Sequence, residues 1–261
     1  MEKENNQSED LSSLDDDVNL IKVKNKLDIV DMIDNNITHT GTIEIVRLDR
    51  EKHVFKTKVY LFVKRCFDIV FSFLLLVILS PLMILLTILD SIFNKGTPFY
   101  GHRRLGLRGK VIKVWKFRSM KKDDRSLEEV LTPEQLMQYK TEFKIEDDPR
   151  ITKFGKFIRK TSLDELPQLF NVLFGSMSFV GPRPIVYREI ALYYKKNART
   201  LLGVKPGITG YWQAYGRNKI TYASGERQKM EIYYCEHRSL IMDLKILFRT
   251  VISVLKKDGA E

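Results

Sequence analysis

From Ile69 to Leu89 the chain carries 21 consecutive uncharged residues, almost all of them apolar. No other feature limits the fold so sharply. As one helix such a run covers roughly 30 Å, the hydrocarbon thickness of a bilayer. Its flanks complicate a simple crossing. Lys56, Lys58, Lys64 and Arg65 precede it and Lys95, Arg103, Arg104, Arg108 and Lys110 follow it, and basic residues mark the cytoplasmic side of a membrane segment. At the midpoint stands Ser80-Pro81. Proline removes a backbone hydrogen bond, and a neighbouring serine can satisfy the group so freed. Each half, about 12 residues, is too short to span. A helix–break–helix hairpin that enters one leaflet and returns satisfies both features. A straight spanning helix with a mild proline kink is the other reading.

Charge divides the chain in two. The net charge is +11, yet residues 1–50 hold twelve acidic and six basic side chains, so the remainder carries +17. A body this basic expects an anionic partner: nucleic acid, a membrane surface or phosphorylated substrates. Residues 1–17 are polar, acidic and free of aromatics, a composition that cannot bury enough apolar area to order itself. Cys66 and Cys235 lie too far apart to suggest a disulfide framework or a zinc site. His39, His53, His102 and His237 are scattered without ligand spacing and read as surface or loop residues. No secretory signal is expected, since the N-terminus has no apolar core.

Beyond the apolar run, GHRRLGLRGK (101–110) is dense in Gly and Arg but lacks the ending of a P-loop. VIKVWKFRSM (111–120) reads as a strand. Thr132-Pro133-Glu134-Gln135 is a cap, an N1 proline and a capping-box glutamine, so a helix is expected over 132–143. Residues 239–257 form an amphipathic basic helix, suited to an anionic membrane or to the core. In SLDELPQL (162–169), Asp164 and Glu165 stand side by side before Pro167. Taken alone the pair reads as a helix start, with Asp164 as N-cap of a helix running Glu165 to Phe174 and stopping at Gly175. Ser162 with Glu165 as a capping box is the less favoured register, because it places Pro167 too deep. Gly181-Pro182-Arg183-Pro184 is a stiff turn that fixes an arginine, and VKPGITGYWQ (204–213) is a second turn carrying Tyr211 and Trp212.

Together, KRCFDIVFSFLLLVILSPLMIL, WKFRSM, DDPRITKFGKFIRKTSLDELPQLFNVLFGSMSFVGPRP, VKPGITGYWQAYGRN and DLKIL closely resemble the bacterial sugar transferase family. These are the monotopic polyprenyl-phosphate phosphoglycosyl transferases that start capsule, exopolysaccharide and glycan assembly. The likeness covers about residues 58–257. It implies a two-step transfer, in which a UDP-sugar gives its sugar phosphate to Asp164, UMP leaves, and undecaprenyl phosphate then takes the sugar phosphate. Glu165 is the partner of Asp164, and Mg²⁺ is held at this carboxylate site. Arg159 and Arg183 are the leading phosphate clamps, since arginine forks match phosphate oxygens; Lys116 and Arg217 are further candidates by family-like position. The family usually carries Asp before the x-Tyr-Tyr element, whereas this chain has Glu231, which can still ligate Mg²⁺ with a longer reach.

The resemblance also favours the re-entrant hairpin, because the lipid phosphate sits at the headgroup level. The expected architecture is mainly α with a small β element near residues 98–118. It comprises an acidic extension (1–55), a membrane hairpin (56–95, break at Ser80-Pro81) and a membrane-apposed catalytic domain (96–261) with interfacial helices. It resembles the compact catalytic form of the family with an added acidic tail. The expected place is the cytosolic face of the bacterial cytoplasmic membrane. Expected partners are the UDP-sugar (UDP-glucose or UDP-galactose), undecaprenyl phosphate and membrane lipid, with no nucleic acid; a homo-oligomer is left open. The competing class is a non-catalytic basic assembly protein of the membrane surface. Asp164, Glu165, Arg159 and Arg183 argue against it, because a scaffold needs none of them.

Overall fold

The computed structural model describes residues 51–255 except 95, 122–125, 144, 146, 217–219, 221 and 223. The acidic extension over 1–50 and the candidate Arg217 therefore lie outside the described residues. The uncharged run lies within one helix, α1 (Glu51–Asn94). The expected division into two helices at Ser80-Pro81 is not present in this helix, which runs through both residues. The reason is local. Pro81 has no N–H to give the Val77 carbonyl, and Ser80 Oγ donates to that same oxygen at 2.8 Å, so little is left unsatisfied. Phe62, Ile78, Ile84, Ile92 and Phe93 are exposed along α1. It is long and apolar enough to cross a membrane, which fits membrane association.

Both ends of α1 are tied to one globular body. Near its start, Arg65 donates to the Val172 and Leu173 carbonyls at 2.7 and 2.8 Å, and Asp68 Oδ1 accepts from Ser178 Oγ and Phe179 N–H. Near its end, Met83 and Leu86 join a buried cluster with Phe117 and Ile158. Asn94 Nδ2 donates to the Arg118 carbonyl at 2.6 Å.

The expected β element is an antiparallel hairpin of β1 (Phe99–Leu105) and β2 (Val111–Phe117). Ile112 and Val114 turn inward along β2 with Lys116 on the same face, as a period of two requires, while Phe117 on the other face joins the Met83–Leu86–Ile158 cluster. The helix expected from Thr132 is α2 (Pro133–Glu142), and both hydrogen bonds of its capping box form. Next come α3 (Lys153–Lys160) and α4 (Gln168–Leu173). The segments SFV and GIT then pair as short parallel strands β3 (Ser178–Val180) and β4 (Gly207–Thr209). A Cβ on Gly181 would sit 2.3 Å from the Lys205 carbonyl, and one on Gly207 2.1 Å from Gly181 N. The two Gly/Pro turns thus pack backbone to backbone. Helices α5 (Ala198–Leu202), α6 (Tyr211–Tyr215), α7 (Glu226–His237) and α8 (Leu240–Leu255) complete the body. The main core gathers Val180, Ile185, Ile190, Leu201, Tyr234 and Ile246. Asp243 of α8 accepts from Tyr60 and Tyr234 hydroxyls at 2.9 and 2.8 Å and pairs with Lys64 at 2.5 Å, tying α8 to α1.

Candidate active site

The carboxylate pair lies in a 3₁₀ turn, Leu163–Glu165, between α3 and α4. The helix-cap expectation for Asp164 is corrected by this geometry. Ser162 has φ 55° and donates its N–H to the Arg159 carbonyl, so it closes α3 in the left-handed conformation that usually falls to glycine. Pro167 takes the N-cap position of α4, with no side-chain cap. Asp164 is therefore free of capping and faces cations instead. The predicted stop at Gly175 is present, with φ 83° just past the end of α4.

Asn171 sets the turn against the hairpin. Its side chain accepts from Trp115 N–H at 3.0 Å and donates to the Lys113 carbonyl at 2.7 Å. It completes the edge of β2 as another strand would. Leu163 and Leu166 pack on the Met83–Leu86–Phe117–Ile158 cluster beneath the turn. Lys116, at the end of β2, reaches both carboxylates: Nζ lies 2.6 Å from Glu165 Oε1 and 3.5 Å from Asp164 Oδ2. Asp164 is buried, whereas Glu165 keeps 38% of its side-chain surface open.

The electrostatics separate the two acids. Burial raises the Asp164 carboxyl above its ordinary value and the Glu165 charge adds to this, while Lys116 and Arg159 oppose it. For Glu165 the effect of burial is outweighed by Lys116, Arg183 and a hydrogen bond from Gln168, and its carboxyl is lowered. Opposition to the protonation of Asp164 thus comes from cationic side chains, not from a helix terminus.

Arg159 is held by Ser119, which accepts from Nε at 2.8 Å. Ser119 is reached because the DDPRIT segment lies along the chain after β2. Thr152 donates to the Ser119 carbonyl and Met120 bridges Ile151. Asp148 fixes that segment through a forked contact to Arg150 at 2.7–3.3 Å. Arg183 donates its backbone N–H to both Glu231 oxygens at 3.1 and 3.3 Å, and its guanidinium lies 5.9 Å from the Trp212 ring. Burial lifts the Glu231 carboxyl to about 7 against the pull of Arg227. Glu231 thus supports the Pro-Arg-Pro turn. Among the described residues no three His, Cys, Asp or Glu side chains group as a metal cluster.

The site therefore brings Asp164, Glu165, Lys116, Arg159 and Arg183 into one electrostatic neighbourhood. Ser119, Asn171 and His102 belong to it as well, and the sequence reading did not select them. Ser119 and Asn171 act through tertiary contacts with no local signature. The carboxylate pair fits a Mg²⁺ ion: its donors are hard oxygens, and it already gathers around a cation, the Lys116 ammonium. A cavity of about 510 Å³ lies elsewhere, along α7 and lined by Tyr193, Gln228, Lys229 and Tyr233.

Residues 59–257 match the family model described as bacterial sugar transferase. Among curated relatives, the undecaprenyl-phosphate galactose phosphotransferase of Salmonella typhimurium is 47% identical over 203 residues, 76% of this chain and 42% of that protein. The exopolysaccharide production protein ExoY of Sinorhizobium fredii is 43% identical over 76% of this chain and 87% of its own length. The UDP-glucose:undecaprenyl-phosphate glucose-1-phosphate transferase of Klebsiella pneumoniae is 39% identical over 72% of this chain and 39% of that protein. The chain thus spans less than half of two of these relatives and most of the third. With 199 of its 261 residues inside the family match, this chain belongs to the bacterial sugar transferase family.

Proposed function

We propose that this chain transfers a sugar 1-phosphate from a UDP-sugar to undecaprenyl phosphate, through a covalent phosphosugar on Asp164. The observation that carries this reading is the Lys116 ammonium seated between Asp164 and Glu165, with Arg159 and Arg183 close enough to act on their charges. An anionic nucleophile meets an anionic phosphate in both steps, so fixed cations are the main requirement.

In the first step Asp164 Oδ attacks the phosphorus that bears the sugar. The bond from that phosphorus to the bridging oxygen breaks, and UMP leaves with the electron pair. In the second step a phosphate oxygen of undecaprenyl phosphate attacks the same phosphorus. The bond to Asp164 breaks and the carboxylate is restored. Lys116 and Arg159 keep Asp164 available as an anion despite its burial. Glu165, lowered and partly open, keeps the ammonium and substrate phosphate in register, and Arg183 offers a planar fork to phosphate oxygens. Asp164 and Glu165 would hold Mg²⁺, which supplies charge neutralisation for phosphate oxygens when bound. Glu231 enters this reading as the support of Arg183.

The relatives named for galactose and for glucose support UDP-galactose or UDP-glucose as donor and exopolysaccharide initiation as the role. We read α1 as re-entrant, turning at Pro81 while its helical hydrogen bonding continues through Ser80 Oγ, with the active site on the cytosolic face. Asp68 and Asn94, which bracket the uncharged run, are both anchored to the same body. A straight crossing would separate them by roughly 30 Å of hydrocarbon.

The test is UMP release from UDP-galactose and UDP-glucose, with undecaprenyl phosphate and Mg²⁺ in a detergent or bilayer mimic. Release that depends on the lipid phosphate and is abolished in Asp164→Asn is the expected result. Full activity in Asp164→Asn refutes the nucleophile assignment, and lipid binding without turnover supports the scaffold reading.

A further inference from the structure

His102 is the site residue for which neither the sequence motifs nor the transfer chemistry supplies a role. In β1 it pairs with Val114, so it lies on the same face as Arg104, two residues along, and diagonal to Lys116 on β2. Arg104 Nη2 lies 3.3 Å from His102 Nδ1. A guanidinium has only donors, so Nδ1 must accept. The imidazole is then neutral, with its proton on Nε2.

Arg104 is itself fixed. Its Nη1 pairs at 3.4 Å with Glu189, which is fully buried and also accepts from the Tyr222 hydroxyl at 3.1 Å. A chain of contacts from Tyr222 through Glu189 and Arg104 therefore sets the tautomer of His102. The surroundings act in the same direction. Burial pushes the imidazole down to about 3, and Arg104, Lys116 and Arg183 each add to this. The carboxylate of Glu165 interacts with two of the same cations, pairing with Lys116 at 2.6 Å and feeling the charge of Arg183. Among the described residues Nε2 makes no hydrogen bond.

We propose that His102 is a substrate-binding residue of the transfer site, presenting a neutral Nε2–H donor to a phosphoryl oxygen of the nucleotide-sugar, with Arg104 as the positioning residue that fixes its tautomer. The inference rests on the transfer reading above. Its physical logic is economy of charge. Lys116, Arg104 and Arg183 already crowd one small region, and another cation would repel them. It would also further neutralise the carboxylate that must attack. A neutral donor adds a directed hydrogen bond without either effect.

Two measurements test it on the full chain in nanodiscs. The first needs no turnover: ¹⁵N-histidine NMR, with the His102 signal assigned by its loss in His102→Gln. The neutral Nε2–H tautomer is expected from pH 5.5 to 8, and Arg104→Met is expected to give a tautomer mixture. An imidazolium, or an Nδ1–H tautomer, overturns the proposal. The second is binding of UMP, read alongside the KM for UDP-sugar. Loss of one hydrogen bond to a charged oxygen predicts binding about 10- to 100-fold weaker in His102→Leu. Gln places its amide N–H near the Nε2 position and is expected to restore binding to within about threefold; Asn, which mimics Nδ1, is not. Equal UMP affinity in His102→Leu and wild type overturns the proposal, as does equal rescue by Asn and Gln. Asp164→Asn keeps the outcomes separate. It is expected to bind UMP and transfer nothing, so transfer by that variant refutes the two-step reading, while a normal affinity in His102→Leu refutes only this inference.

Discussion

Lys116 Nζ lies 2.6 Å from Glu165 Oε1, and this contact fixes a strand to the turn that holds the Asp164–Glu165 pair. The same ammonium is 3.5 Å from Asp164 Oδ2. One cation thus opposes the burial that raises the Asp164 carboxyl and lowers the carboxyl of the more open Glu165.

Removing that cation is predicted to change both rate and pH dependence. Lys116→Met should lower UMP release by about 100-fold or more, the usual scale for losing one preorganised electrostatic contact. Lys116 pulls the Asp164 carboxyl down, so without it the acid limb of the pH–rate profile should move to higher pH. A rate loss with an unmoved acid limb would mean that Lys116 acts on the substrate alone.

Asn171 is predicted to be a structural determinant of the same contact. Asn171→Ala removes the partner of the part-buried Trp115 N–H and Lys113 carbonyl. The cost is about 1–3 kcal/mol for two lost hydrogen bonds, visible as a lower Tm in the same detergent. Activity should fall with it, because α4 is no longer pinned to β2. A variant with unchanged Tm would show that the side chain is not needed for this packing.

Some of this arrangement was legible in the sequence because it is local. The capping box at Thr132 and the strand expected over 111–120 depend on neighbouring residues; the box forms and the strand forms over Val111–Phe117. The apolar run likewise announces a membrane-associated helix. The Asp164 cap failed for a tertiary reason: Ser162 closes the preceding helix, and Lys116, 48 residues away, takes the carboxylate. His102 read as a loop residue because strand register is invisible without the partner strand. Only pairing of β1 with β2 brings it beside Arg104 and near Lys116. At Ser80-Pro81 the helix assignment continues where two helices were expected. The serine that makes a break tolerable also lets the helix continue.

Glu231 yields a pH prediction. Its carboxyl is raised from 4.5 to about 7 by burial. A folded-state value above the unfolded one gives stability that is complete below about pH 4.5 and is lost as pH rises towards 7. Glu231→Gln keeps an acceptor for the Arg183 N–H and carries no charge. Its stability relative to wild type should rise between pH 4.5 and 7 by on the order of 3 kcal/mol and then level off. Unfolding midpoints of the two proteins across pH 4.5–8 test this, and parallel curves would contradict it.

The re-entrant reading of α1 predicts one-sided accessibility. In a Cys66→Ser background, thiols introduced by Thr57→Cys and Thr97→Cys should both resist an impermeant reagent applied outside intact cells and both react once the membrane is opened. Labelling of one thiol from outside and the other only from inside would establish a spanning helix.

The central claim concerns a bond to one carboxylate, and mass spectrometry reads it directly. The purified chain, given UDP-galactose or UDP-glucose and Mg²⁺ without lipid acceptor and quenched in acid, should gain the mass of one hexose phosphate. The adduct should map to the peptide carrying Asp164 and vanish on addition of undecaprenyl phosphate. An active enzyme that never carries this mass, or carries it on a peptide without Asp164, would contradict the account.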